Sequence, residues 1–359
     1  MKHPREVLLG AQASAGFLPV CDHYSGVEAR MRKSLQLQAE MIEEFGACVF
    51  DASLDCEDGA PVGAEHDHAQ MVVVLAQQAY QDARKRSASV SPRVAVRVHP
   101  VDHPSFDADV ETIVGGAGKL LCHLMIPKVE SVADVARAVA AVDAAAKTAG
   151  RLDPLPLQVL VESPAAVHRA FDIAAHPRVQ SISFGMMDFV SAHGGAIPDS
   201  AMSSTLDASA LEPGQFSHPL IVRAKLDIAS ACHAHGKVPS HCVVTEFSDT
   251  AAMKAAAHKA SREFGYTRMW SIHPSQIRPI LQAMAPSHED VDRACAILEL
   301  AIQAQWAPIS YSGQLHDRAS YRYFWQVLER AHQTGQPIST GFQSYFQPSA
   351  HKSCGTMLN

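Results

Sequence analysis

Two acidic residues each close a short apolar run, and their placement is the strongest chemical signal in the chain. Glu162 ends Leu157-Gln158-Val159-Leu160-Val161-Glu162, with Pro164 opening the next segment. Asp188 comes after Ser181-Ile182-Ser183-Phe184-Gly185-Met186-Met187. A single acid in such a place is as well explained by a helix cap or a surface loop. On successive parallel strands, the two can share one hard cation, with water and substrate oxygens completing the shell, which is how Mg²⁺ prefers to be held. A third place, Asp51-Ala52-Ser53-Leu54-Asp55-Cys56-Glu57-Asp58-Gly59, packs acids densely enough to need a cation or hydrogen bonds. In the fourth, Val94-Ala95-Val96-Arg97-Val98-His99, an arginine sits near the end of an apolar run. Aimed into a cavity it clamps a carboxylate by paired hydrogen bonds, and a salt bridge to the acidic cluster is compatible with that role. Lys128 and Glu130 also stand where an apolar run ends.

Residues just past apolar runs are positioned together by a (β/α)₈ TIM barrel, whose site lies at the C-terminal strand ends. The pattern predicts strands at Phe17–Val20, Ala47–Leu54, Arg93–Val98, Leu124–Ile126, Leu157–Val161, Ser181–Phe184, Val238–Val244 and Met269–Ile272. Segments of helical period lie between them at Val27–Phe45, Asp67–Arg86, Val132–Ala149, Ala165–Ala174, Leu220–His235 and Asp249–Phe264. A doubly wound open sheet is the architectural alternative. The barrel is expected over residues 1–285, a two-helix C-terminal lid over 286–333, and a Gly-, Pro-, Ser- and Gln-rich tail over 334–359.

The 359 residues are 47% hydrophobic, with a formal net charge of -7, which gives no electrostatic reason to expect nucleic acid or an anionic membrane as partner. No apolar run approaches the roughly 20 residues of a membrane span, and the start lacks a signal-peptide core. The 8 cysteines form no CxxC pair. A cytoplasmic enzyme with reduced thiols is expected.

Six of these segments, in order, resemble the citrate lyase β-subunit-like branch of the HpcH/HpaI aldolase/citrate lyase superfamily, which includes malyl-CoA and citramalyl-CoA lyases. They are Asp55-Cys56-Glu57-Asp58-Gly59, Val96-Arg97-Val98, Pro127-Lys128-Val129-Glu130, Val161-Glu162-Ser163, Phe184-Gly185-Met186-Met187-Asp188 and Ser271-Ile272-His273-Pro274-Ser275-Gln276-Ile277. The resemblance implies a lyase that splits a 3-hydroxyacyl-CoA into a ketoacid or glyoxylate and an acyl-CoA. It implies Mg²⁺, with Mn²⁺ as substitute, on Glu162 and Asp188, and Arg97 on the ketoacid end. Glu57, Asp58, Lys128, Gly185 and Met187 would line the substrate site. Asp317, in Gly313-Gln314-Leu315-His316-Asp317, would move a proton in a neighbouring subunit's site, in a homotrimer or a hexamer of trimers.

Three stretches depart from the family pattern: Leu8–Ala13 with Pro19–His23 at the start, Val238-Pro239-Ser240-His241, and His99 where asparagine is common. Two further readings therefore stay open. One is a class II pyruvate aldolase without CoA, although those relatives carry histidine where this chain has Asp58. The other is a non-catalytic or partner-dependent subunit that keeps the fold.

Overall fold

The computed structural model describes residues 3–10, 18–59, 61–88, 90–204 and 212–346. Eight parallel strands close into a barrel in sequence order: β1 (Cys21–Ser25), β2 (Phe50–Asp55), β3 (Val94–Arg97), β4 (Leu121–Ile126), β5 (Leu157–Val161), β6 (Val179–Phe184), β7 (Val238–His241) and β8 (Arg268–Ser271). β8 returns to β1 with Asp22 opposite Trp270. Apolar strand residues on the outer face pack under the surrounding helices in two clusters, one with Leu54, Val96, Leu124, Val159 and Ile182 and the other with Cys21, Phe50, Ala52 and Met269.

The first strand departs furthest from the sequence pattern. Phe17–Val20 is the apolar run, but the strand is Cys-Asp-His-Tyr-Ser, and Phe17 lies outside the described residues. The cause is an ionic barrel interior. Asp22, Asp51, Arg268, Ser53, Gln158 and Ser183 are all buried. Arg268 reaches Asp51 at 2.7 Å and Asp22 at 3.1 Å. Ser53 and Gln158 donate to Asp22 at 2.6 and 2.9 Å, and Arg93 donates to Asp51 at 2.5 Å. Strand residues that face such an interior are polar, so the apolar-run criterion slides past them. Above this network, towards the strand C-termini, Tyr24, Met125, Leu160, Val243 and Trp270 form an apolar layer.

Other boundaries shift less. The expected helix Ala165–Ala174 is two short helices, Pro164–His168 and Ala170–Ala175, broken at Arg169. Helices Phe106–Ala117, Met186–Ser191 and Pro274–Met284 are additional to those the periodicity predicts. β7 stops at His241, short of Val244.

The chain divides into two compact units, and the barrel unit is Leu18–Met284. Among the described residues, the other joins 285–346 with 3–10, so the N-terminal helix Pro4–Leu9 is not a part of the barrel. In that second unit, helices His288–Gln303 and Arg318–Gln333 flank a small hairpin of β9 (Ile309–Tyr311) and β10 (Gln314–His316), an addition to the two expected helices. The described part of the tail is packed: Ile338 and Phe342 are buried, and Phe346 stacks on Trp325 at 5.3 Å. Among the described residues, no helix is long and apolar enough to cross a membrane.

Candidate active site

Glu162 and Asp188 meet at the mouth of the barrel. Glu162 stands directly after β5, and Ser163 caps the next helix, its hydroxyl accepting from Ala166 N at 3.0 Å. Glu130 accepts from that same hydroxyl at 2.7 Å, so it steadies the turn that carries Glu162. Asp188 lies in the first turn of helix Met186–Ser191, exposed where Glu162 is buried. The two carboxyl groups lie close enough for each to act on the other. Burial first, and the Asp188 and Glu57 charges after it, push the Glu162 carboxyl up to about 8, although Lys128 N donates to it. Two facing carboxylates with so little compensation must hold a proton or a cation between them.

Two backbone features make that pairing fit. Lys128 adopts a left-handed φ of 51°, which aims its amide at Glu162 Oε1, 2.8 Å away. A non-glycine residue in that region costs on the order of 1 kcal/mol and persists where the surroundings require it. Gly185 passes so close to Glu162 that a Cβ there would stand 2.4 Å from Oε2 and 2.7 Å from Cγ. Gly185→Ala is therefore expected to displace the Glu162 side chain. Turnover should fall at least about tenfold, while the melting temperature moves by only a few degrees. A circular-dichroism melt run beside an activity assay checks this, and wild-type turnover would refute it.

The second cluster centres on Arg97. Asp55 grips its guanidinium through Nε at 2.7 Å and Nη2 at 2.6 Å. Glu57 meets Nη1 at 2.7 Å, and Asp58 meets Nη2 at 2.8 Å. Burial opposes the arginine's charge, but Asp55 and Glu57 outweigh it and hold the guanidinium well above its ordinary range. Glu57 also accepts from Lys128 Nζ at 2.6 Å, which ties the two clusters together. Burial nonetheless raises the Glu57 carboxyl. Asp58 is mostly exposed (76% of its side chain), whereas Asp55 is buried, so Asp58 is the partner an incoming carboxylate displaces most easily. Tyr24 lies beneath, its ring centroid 5.7 Å from the guanidinium carbon.

The structure thus brings Glu162, Asp188, Lys128, Gly185, Glu57, Asp58 and Arg97 to one end of the barrel. Met187 stands half exposed beside Asp188. Asp317 belongs to the other unit, where its Oδ1 caps helix Arg318–Gln333 by accepting from Ala319 N at 3.0 Å and Ser320 N at 3.3 Å. Asp55 is a site residue that the sequence pattern does not single out. Its position as the last residue of β2, paired in register with Arg97, is the signal that could have found it. His99, which stands where the family commonly has asparagine, is held by Asp109 at 2.6 Å, and that hydrogen bond raises its pKa. A separate group, Asp51, Cys122 and His123, places possible metal donors within 4.8 Å of one another. There both Asp51 oxygens already take guanidinium groups, so the counter-charge a cation would supply is present.

A closed parallel barrel with paired acids and a gripped arginine at its C-terminal mouth defines an enzyme of the (β/α)₈ class. The chain belongs to the HpcH/HpaI aldolase/citrate lyase family, whose profile matches residues 35–273, and its relatives are carbon–carbon lyases. It is 32% identical to an L-malyl-CoA/β-methylmalyl-CoA lyase of Cereibacter sphaeroides over 245 residues, 66% of this chain and 76% of that protein. A citrate lyase structure from Burkholderia xenovorans LB400 is 46% identical, covers 96% of this chain and 99% of its own, and superposes with a TM-score of 0.75. The fold is shared with protein CitE of Mycobacterium tuberculosis, solved with magnesium, acetoacetate and coenzyme A, at 20% identity and a TM-score of 0.59, covering 88% of this chain and 98% of that one.

Proposed function

We propose that the protein is a Mg²⁺-dependent lyase that cleaves a 3-hydroxyacyl-CoA to a ketoacid or glyoxylate and an acyl-CoA. The observation that carries the reading is the Glu162–Asp188 pair, two carboxyl groups in contact with one of them buried and raised to about 8. Their hard oxygen donors, few in number and next to an open mouth, suit Mg²⁺ with water and substrate oxygens in its remaining positions. Held by Glu162 and Asp188, such an ion would supply Lewis-acid stabilisation of the negative charge that develops on oxygen.

The chain's own groups do the rest. Arg97, pre-oriented by Asp55, exchanges Asp58 for the ketoacid carboxylate and fixes its plane. Lys128 holds Glu57 by its side chain and Glu162 by its amide, so substrate entry disturbs neither acid. The half-exposed Met187 offers an apolar contact at the rim. Asp317 keeps Oδ2 clear of the capping bonds made by Oδ1, leaving one oxygen to carry a proton to or from the acyl carbon, in the site of a neighbouring subunit of a trimer or hexamer.

A thermal-shift series tests the reading: Mg²⁺ with pyruvate, glyoxylate or oxaloacetate, with and without acetyl-CoA or propionyl-CoA. We expect Mg²⁺ to raise the melting temperature, and a ketoacid and an acyl-CoA each to raise it further. Stabilisation by ketoacid and by no CoA ester would transfer the assignment to a pyruvate aldolase. Ligand binding without turnover would transfer it to a non-catalytic subunit.

A further inference from the structure

Beneath the paired acids and Arg97, the barrel is floored by Tyr24, Met125, Leu160, Val243 and Trp270, packed as one apolar cluster. Strand periodicity fixes the direction of these side chains. Tyr24 and Trp270 come two residues after Asp22 and Arg268 of the ionic interior. Leu160 stands two after Gln158, which donates to Asp22, and two before Glu162. The cluster therefore separates the ionic interior from the mouth. Met125 and Leu160 are fully buried, whereas Tyr24, Val243 and Trp270 keep 7%, 7% and 8% of their surface. With the ionic network below, that surface opens upwards, to whatever the mouth binds.

The floor has almost no polar capacity. The Tyr24 hydroxyl already donates to Met125 Sδ, and its ring lies 4.6 Å from the Trp270 ring and 5.7 Å from the Arg97 guanidinium carbon. The Trp270 indole N–H is buried without a partner, and one neutral donor does not compensate a buried carboxylate. The two cations brought to this site are also engaged. Arg97 holds Asp55, Glu57 and Asp58, and Lys128 Nζ holds Glu57. A ketoacid that displaces Asp58 from Arg97 takes the guanidinium position most easily freed. A second carboxylate, carried on the far side of its carbonyl, would meet apolar side chains and no free cation among the described residues.

We propose that the site selects 2-ketoacids of the pyruvate class, with one carboxylate and an alkyl group seated on the Tyr24–Val243–Trp270 floor, and rejects those that carry a second carboxylate there. The hydroxyacyl thioester that is cleaved accordingly bears an alkyl group on its carbinol carbon. This rests on the lyase reading above and narrows it.

Pyruvate, 2-oxobutyrate and oxaloacetate provide the test, since they differ only in carrying hydrogen, methyl or carboxylate on the carbon beside the carbonyl. Their dissociation constants are measured by calorimetry on the full chain with saturating Mg²⁺. Pyruvate and 2-oxobutyrate should each bind at least about tenfold more tightly than oxaloacetate. Val243→Thr, which puts a hydroxyl on the floor at nearly unchanged volume, should narrow that ratio and leave Mg²⁺ affinity as it is. If the wild type binds oxaloacetate as tightly as the other two, the inference fails and the lyase reading stands. A ratio that Val243→Thr does not move would overturn the floor as its cause. Binding of none of the three with Mg²⁺ present would sink the lyase reading itself, and this inference with it. The deciding comparison is read on the wild-type protein, so it does not depend on how a variant folds.

Discussion

Glu162→Gln will lower turnover on the order of 10³-fold, since a metal beside the charged oxygen is worth several kcal/mol and each 1.4 kcal/mol is about tenfold. The same substitution will make the metal-free protein more stable at pH 8. In the folded chain the Glu162 carboxyl is raised from 4.5 to about 8. A raised pKa gives stability that is fully present below pH 4.5 and lost as pH climbs to about 8, because the unfolded chain releases the proton first. Glutamine stays neutral throughout. Variant and wild type should therefore match near pH 4.5 and diverge by a few kcal/mol by pH 8. Added Mg²⁺ should stabilise the wild type alone. Denaturation at the two pH values, with and without Mg²⁺, reads all of this together. A variant no more stable than the metal-free wild type at pH 8 would mean that Glu162 is compensated by something other than a proton, and the pair would then have no need of a cation.

How far this site is legible in the sequence depends on what kind of contact each residue makes. Glu162 and Asp188 stand out because each comes after an apolar run, and the run Leu157–Val161 is a strand in the structure to the residue. The contact between them has no such signal, because it needs Gly185 to lie against Glu162 and Lys128 to turn left-handed, and neither feature has a spacing signature. Arg97 reads as a carboxylate clamp, with a bond to the acidic cluster compatible with that role. That Asp55, Glu57 and Asp58 all bind it at once emerges only from the register of β2 against β3. Where pattern and structure disagree, a local rule meets an opposing tertiary demand. The apolar-run rule places β1 too early because the inward side chains of that strand answer to Arg268, far along the chain. The hairpin at Ile309–His316 escapes the same rule because its strands have three residues each.

The ionic barrel interior carries the largest expected stability effect. Arg268 is fully buried between Asp22 and Asp51, and its Nη1 also donates to Pro19 O at 2.8 Å. Burial alone would push the Asp51 carboxyl up, yet Arg93 and Arg268 together hold it below the usual carboxylate range. Arg268→Met keeps comparable bulk and removes the charge, leaving Asp22 with Ser53 and Gln158 as its donors and Asp51 with Arg93. Taking one partner from a buried ionic group costs about 3–5 kcal/mol, because the remaining carboxylate stays buried and under-compensated. At neutral pH that is a large part of a domain's net stability. A depressed carboxylate gives stability that is present above its unfolded pKa and lost as pH falls, so the gap between wild type and variant should narrow towards acid pH. Adding Asp22→Asn to Arg268→Met should recover part of the loss by removing the charge left behind. Denaturant titration at neutral and acid pH, on the single and double variants, tests each step. A loss below about 1 kcal/mol for Arg268→Met would place the network among buried ion pairs whose desolvation cancels their attraction, and the polar strand β1 would then need another cause.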